Sequence, residues 1–221
     1  MATSGTRTFN LDIAEIVEEA YERCGLEVRT GYDAKTARRS LNLMFAEWAN
    51  RGLNLWTVDS KEITLAQGQA SYTLLPDVVD LLDVVVRRNN TDYEVQRISR
   101  GEYTTLPNKT TQGRPSQYWF NRQIDPVINL WAVPENSTDV LIYYYVERIE
   151  DAGGYTNTSD LPFRFFPCMV AGLAYYLAMT RAPDRIQMLK TVYEEEFQRA
   201  ADEDQGRTPL KLQPSLSYLR V

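Results

Sequence analysis

The sequence predicts an α+β fold: N- and C-terminal helix pairs packing as a helical bundle, an inserted antiparallel β domain, and an extended C-terminal tail. Three observations carry this. Apolar residues recur at three- and four-residue steps only near the two ends of the chain, alternating segments with turn signals fill the middle, and two prolines punctuate the last sixteen residues. The expected divisions are residues 1–54 (helix pair), 55–150 (β domain), 151–205 (second helix pair, completing the bundle) and 206–221 (tail).

The first helix is expected to follow Asn10 as N-cap, with Leu11, Ile13, Ile16, Val17, Ala20, Tyr21 and Cys24 on its apolar side and Gly25 as its stop. Ala34, Ala37, Leu41, Met44 or Phe45, and Trp48 mark the second, with Asp33 able to cap its start and Gly52 suited to its end. The short connection between the two predicts an antiparallel hairpin. Extended segments then flank the Gln67-Gly68-Gln69 turn, and Tyr72 and Leu74 share a side. VVDLLDVVVRR reads as a strand, followed by a turn at Asn89–Asp92 and another strand; Val84 and Val86 point one way, Val85 and Arg87 the other. Ser99 and Glu102 have capping-box spacing for one helical turn.

QYWFNR and VINLWAV form a hairpin around Gln123–Pro126. In DVLIYYYVERI, Leu141, Tyr143 and Tyr145 line one face and Ile142, Tyr144 and Val146 the other, so the strand is central or covered by a neighbouring subunit. The third helix is expected after Ser159 or Asp160 as cap, with Pro162 in its first turn, and is apolar nearly all round, which predicts burial on most sides. Ala182-Pro183-Asp184 restarts the chain as a fourth helix with the stripe Ile186, Leu189, Tyr193, Phe197 and Ala200. Its end is acidic (Glu194–Glu196, Asp202–Asp204), either to solvate the helix or to face a basic partner.

Composition narrows the function. The chain has 221 residues, 43% of them hydrophobic and 24% charged, enough for a sizeable core. A net charge of -6 with no dense Lys/Arg cluster argues against a dedicated DNA-gripping protein. The absence of histidine removes Ser-His-Asp and Cys-His chemistry and His-based zinc sites, and two cysteines, Cys24 and Cys168, do not complete a Cys₄ site. Buried thiols are favoured for both. No cofactor and no metal are expected. The start lacks a signal-peptide core, and the apolar run Cys168–Met179 is shorter than the roughly 20 residues that span a bilayer, so no membrane partner is expected.

Three stretches carry a resemblance to a known family. ARRSLNLMFAEWANRGLNLWTV, GRPSQYWFNRQIDPVINLWAVPE and DLPFRFFPCMVAGLAYYLA resemble the second helix and its exit, the Gly-x-Pro-x-x-Tyr strand pair, and the third helix of the head-to-tail adaptors of short-tailed phages, also called tail tubular protein A or packaged-DNA stabilisation proteins. The likeness covers roughly residues 10–205. It implies a structural virion protein and no enzyme: a homo-oligomeric ring, usually twelvefold, seated under the portal protein in the head–tail neck after synthesis in the host cytoplasm. Such a ring meets the tail nozzle or tail fibres, extends the DNA channel in non-specific proximity to duplex DNA, and retains the packaged genome.

The resemblance also gives a role to the tail, whose Leu210, Leu212, Leu216, Tyr218, Leu219 and Val221, with Pro209, would dock along the portal. Packing back onto its own subunit, or remaining in water, are the other fates open to it. Burying each apolar side chain gains about 1.5–3 kcal/mol, while ordering each residue costs about 1–2 kcal/mol, so one tail binds weakly and many tails on a ring bind firmly. A ring needs a heterologous interface, for which Trp119, Phe120, Trp131, Tyr143 and Tyr145 are candidates beside an ordinary core role. Arg38 and Arg39, or Arg87 and Arg88, are placed either to brush phosphates or to make surface ion pairs. The rival reading is a glycan hydrolase using Glu15 with Glu19 or Glu62 with Glu94, although nothing in their spacing singles these pairs out. A non-viral scaffold is a third.

Overall fold

Side-chain caps decide where the helices start. In a computed structural model, which describes residues 5, 9, 11–52 and 55–204, Asp12 caps helix α1 (Ile13–Arg23). Its carboxylate accepts from the Glu15 amide at 2.8 Å and Glu15 accepts in return from the Asp12 amide at 3.2 Å. Asn10, the cap expected from the sequence, lies outside the described residues, and the reciprocal pair two positions on takes the role. Helix α2 (Gly31–Arg51) is capped by Thr30, with Asp33 as the reciprocal partner rather than the cap. The short helix α3 (Arg100–Thr105) begins with the Ser99–Glu102 box that the spacing predicts.

The fourth α-helix, α4 (Phe166–Arg181), starts later than expected. A 3₁₀ turn, Phe163–Phe165, precedes it, no side chain caps it, and a proline in its first turn removes one of the amides that would need a partner. Helix α5 (Ile186–Glu203) follows a second 3₁₀ turn, Pro183–Arg185, and buries Leu189, Tyr193 and Ala200 of its expected stripe.

Helix α4 is the hub of the helical half. It buries Cys168 to Ala174 without interruption, as well as Leu177 and Ala178, so its even apolar character is used on several sides at once. Helices α1, α2 and α5 all pack against it, and their side chains join one cluster that includes Ile13, Ile16, Leu41, Trp48 and Tyr193. The first two helices touch each other only lightly, which corrects the hairpin expectation: α4 takes the apolar faces of both. Gly172 makes this crossing possible, because a Cβ there would sit 2.4 Å from the Met44 sulfur and 2.8 Å from Cε2 of Tyr193. Counting its 3₁₀ start, Phe163–Arg181 is long and apolar enough to cross a membrane by length and composition, beyond what the shorter apolar run predicts; its residues form the middle of this core instead.

Between the helix pairs run ten strands among the described residues: β1 (Val58–Thr64), β2 (Ser71–Thr73), β3 (Val78–Arg88), β4 (Thr91–Glu94), β5 (Gln96–Arg97), β6 (Gln112–Gly113), β7 (Gln117–Asn121), β8 (Val127–Trp131), β9 (Val133–Pro134) and β10 (Val140–Glu147). One sheet has the order β1-β10-β3-β4, a second β2-β8-β7-β5, and β6 pairs with β9; the β5–β7 and β6–β9 pairings are parallel, which corrects the wholly antiparallel expectation. The strand with two apolar faces, β10, is central as predicted, antiparallel to both neighbours. The turn before β4 is tighter than the sequence implies: Asn89 and Asn90 alone make it, with φ of 52° and 60°, and Thr91 and Asp92 already belong to the strand. Val84, Val86, Leu141, Tyr143 and Tyr145 from the first sheet meet Tyr72, Tyr118, Phe120, Ile128 and Leu130 from the second in a separate core.

Candidate functional site

The residues free to meet another molecule are those left on the surface after both cores close. Of the five aromatic interface candidates, three are consumed inside. Tyr143, Tyr145 and Phe120 are 2%, 0% and 6% exposed, and the two tyrosine rings lie 5.5 Å apart within the β core. The alternation in β10 places them there, and they keep no face for a neighbour. Trp119 and Trp131 occupy the other side of the β7–β8 pair and are half-buried. The Trp119 ring packs 5.3 Å from Tyr103 of α3, and the Trp131 Nε1 donates to the Asn108 carbonyl at 2.9 Å. Tyr144, on the outward side of β10, is 44% exposed, a placement the same alternation gives once the buried face is known. The tail residues Pro209, Leu210, Leu212, Leu216, Tyr218, Leu219 and Val221 lie outside the described residues.

The carboxylate pairs of the hydrolase reading are not assembled as acid and nucleophile. Glu15 closes the α1 capping box, and Glu19 accepts from Arg23 at 2.9 Å. Glu62 stands opposite Ile142, which lies beside Val85, which lies opposite Glu94. That puts three strand spacings, about 14 Å, between the two glutamates, more than the roughly 5–9.5 Å that glycoside cleavage uses. Among the described residues there is no group of three or more Cys, Asp or Glu placed to hold a metal. Both cysteines are free and buried; the Cys24 Sγ donates to the Ala174 carbonyl, and burial pushes both thiols up, away from the reactive thiolate.

Many of the charged side chains are committed within the chain. Arg88 grips the fully buried Asp139 through Nε and Nη2, and Arg87 chelates Asp92 at 2.7 and 2.9 Å, so this pair makes internal ion pairs rather than facing phosphate. The acidic run of α5 is largely internal too. Glu194 holds both Nη atoms of Arg51, which also meets Glu47 and stacks 4.3 Å over the Phe197 ring. Asp204 receives Arg164 and the Leu55 amide, tying the end of α5 to the 3₁₀ turn before α4. On α2 the pattern reverses. Lys35 and Arg39 make no ion pair among the described residues, and Arg38 donates only to the Gly153 carbonyl. They line a hollow of about 500 Å³ with Tyr32 and Leu43, 68% and 58% exposed, so this helix face presents positive charge and apolar surface together.

A groove of about 690 Å³ lies between α1 and the start of α4. Its floor is Leu11, Ile16, Phe166, Pro167 and Val170, and its rim carries Glu15, Glu19 and Arg23. Phe9 and Phe163 stack 5.9 Å apart at its edge and remain 69% and 62% exposed. Leu11, expected in the core, is only partly buried here, and Phe9 and Phe163, which flank α1 and α4 in the chain, supply the exposed apolar surface.

A family model described as SU10 adaptor protein matches residues 12–213. No curated protein matches the chain.

Proposed function

Since the chain belongs to the SU10 adaptor protein family, we propose that it is one subunit of a phage head-to-tail adaptor: a ring seated between portal and tail nozzle in the neck of the virion. The ring extends the DNA channel and retains the packaged genome. The observation that carries this reading is the extent of the match, which runs from the first residue before α1 through both helix pairs and the β insertion. The division at residues 54, 150 and 205 is kept as the working description of the subunit, with residues 206–221 as the segment that docks on the portal.

The distribution of surface is consistent with assembly. A ring needs two unlike patches on one subunit. The α2 face, with Lys35, Arg38, Arg39, Tyr32 and Leu43, is the better supported patch, since three of the aromatic candidates lie inside the β core. Phosphates of duplex DNA are a second fit for the same cations if that face turns toward the channel.

The test is attachment. Full-length chain is mixed with the portal rings of the same phage and separated by sedimentation, beside a chain ending at residue 206. The full chain is expected to travel with the portal and the shortened chain to stay behind. A shortened chain that attaches equally well removes the docking role from the tail, and a full chain that never attaches overturns the adaptor reading.

A further inference from the structure

The groove between α1 and α4 lies next to where the final segment begins. Asp204, the last described residue, is bonded through its carboxylate to Arg164, the residue after the groove-edge Phe163. Asp204 therefore stands one side-chain contact away from the chain neighbour of the groove-edge Phe163. The composition of residues 205–221 matches the groove. They include Arg207, Lys211 and Arg220 and no Asp or Glu, against a rim whose charged residues are Glu15, Glu19 and Arg23. Their leucines, Tyr218 and Val221 meet a floor of leucine, isoleucine, valine, proline and phenylalanine. Pro209 and Pro214 disfavour a helix, and an extended strand is the form a narrow groove accepts. Reach is ample: the ten residues from 205 to 214 cover about 33 Å when extended, whereas Phe163 to Val170 covers about 11 Å along a helix.

We propose that in the free subunit this groove holds the subunit's own C-terminal segment, so that the docking surface meant for the portal is covered until the portal competes for it. This rests on the adaptor reading only for the competitor. The intramolecular contact follows from the groove, its charge and the position of Asp204. Connection in one chain gives the segment an effective concentration of order millimolar at the groove, enough to favour weak contacts within the subunit over those with a passing copy. A portal ring offers many sites to many tails at once, and that multiplicity releases them.

A disulfide trap tests the contact in the full-length chain. Glu19→Cys on the groove rim is combined in turn with Gln213→Cys, Ser215→Cys or Ser217→Cys, which leave every apolar tail residue in place. Ser60→Cys on exposed β1 serves as the control partner. Cys24 and Cys168 are buried with thiols pushed up, so the introduced pair reacts first. Mild oxidation is expected to give a link within one chain at Glu19→Cys and none at Ser60→Cys. Adding Phe163→Asp, at a side chain 62% exposed and thus tolerant of change, is expected to lower the yield at least tenfold. Links only between two chains, equal links at both rim and control, or no link at any tail position would overturn the proposal. Portal sedimentation of the unmodified chain is read separately, so a failed adaptor reading leaves the trap result standing on its own.

Discussion

The two halves of this chain bury their apolar residues in different ways. The β half closes two sheets face to face, and β3 and β10 of one share the core with β7 and β8 of the other. The helical half concentrates burial on one helix: α4 is packed by α1, α2 and α5, and of these partners α2 and α5 keep exposed apolar side chains, Tyr32 and Leu43 on one, Met188 and Val192 on the other. Both halves leave apolar side chains outside, Leu75, Leu82, Ile124 and Tyr144 in the β half, but the helical half gathers them at hollows, Phe9 and Phe163 at one and Tyr32 and Leu43 at another. The groove and the cationic α2 face both belong to the helical half, and that is where assembly is expected to act.

The sharpest way to break this comparison is to damage the hub's surroundings. Trp48 packs tilted on Phe165 and Phe197 and donates to the Tyr193 hydroxyl at 2.8 Å, which in turn donates to Glu47 at 2.6 Å. Trp48→Ala is expected to cost about 3–5 kcal/mol in urea denaturation and to loosen α2 from α5. In the β half the comparable weakness is one ion pair. Arg88→Met leaves the Asp139 carboxylate buried without its main partner and is expected to cost about 3 kcal/mol, whereas Arg87→Met, at the exposed pair, changes little.

Glycines separate the halves by steric tightness. Gly172→Ala drives a methyl into Met44 and Tyr193 and is expected to cost about 1–3 kcal/mol. Gly113→Ala on β6 meets only the Ala132 methyl, at an ordinary 3.5 Å, and is expected to stay within about 0.5 kcal/mol of the parent. Equal losses at both sites would mean that the hub is no tighter than the sandwich.

The smallest effect is a difference in sign with pH. Asp33 is held below the usual carboxylate range first by the Thr30 hydroxyl, then by the Arg29 amide and by Arg181, whose Nη2 donates to it at 2.7 Å. Its contribution is present above the unfolded carboxylate value and is lost as pH falls through the lowered folded value. Glu147 at the end of β10 moves the other way: burial, followed by the neighbouring Asp77, raises it. Protonated Glu147 favours the fold, and that gain is present below the unfolded value and lost as pH rises through the raised folded one. Urea midpoints measured across the acid range should therefore fall less steeply with acid in Asp33→Asn, and Glu147→Gln should gain stability near neutrality.

Much of the fold is legible in the sequence, for identifiable reasons. Strand β10, the hairpin of β7 and β8 and the stripe of α5 follow from periodicity, because burial on one face imposes it. The starts of α1 and α2 shift because several polar residues near each boundary are able to cap, and the reciprocal partner at the third helical position decides between them. α4 begins late because Pro162 leads into a 3₁₀ turn before the α-helix proper. Three of the five interface candidates lie in the core for another reason. An aromatic residue in a strand looks the same to a core and to a neighbour, and only the second sheet reveals that Tyr143 and Tyr145 are already covered. The groove is illegible because it joins residue 9 to residue 163 across the whole β insertion.

The most direct measurement is electron microscopy of the full-length chain with and without portal rings. A coaxial ring of this protein stacked on each portal is expected, with the α2 face inside a subunit boundary or turned to the channel. Portals that stay bare at saturating concentrations of the chain would contradict that expectation.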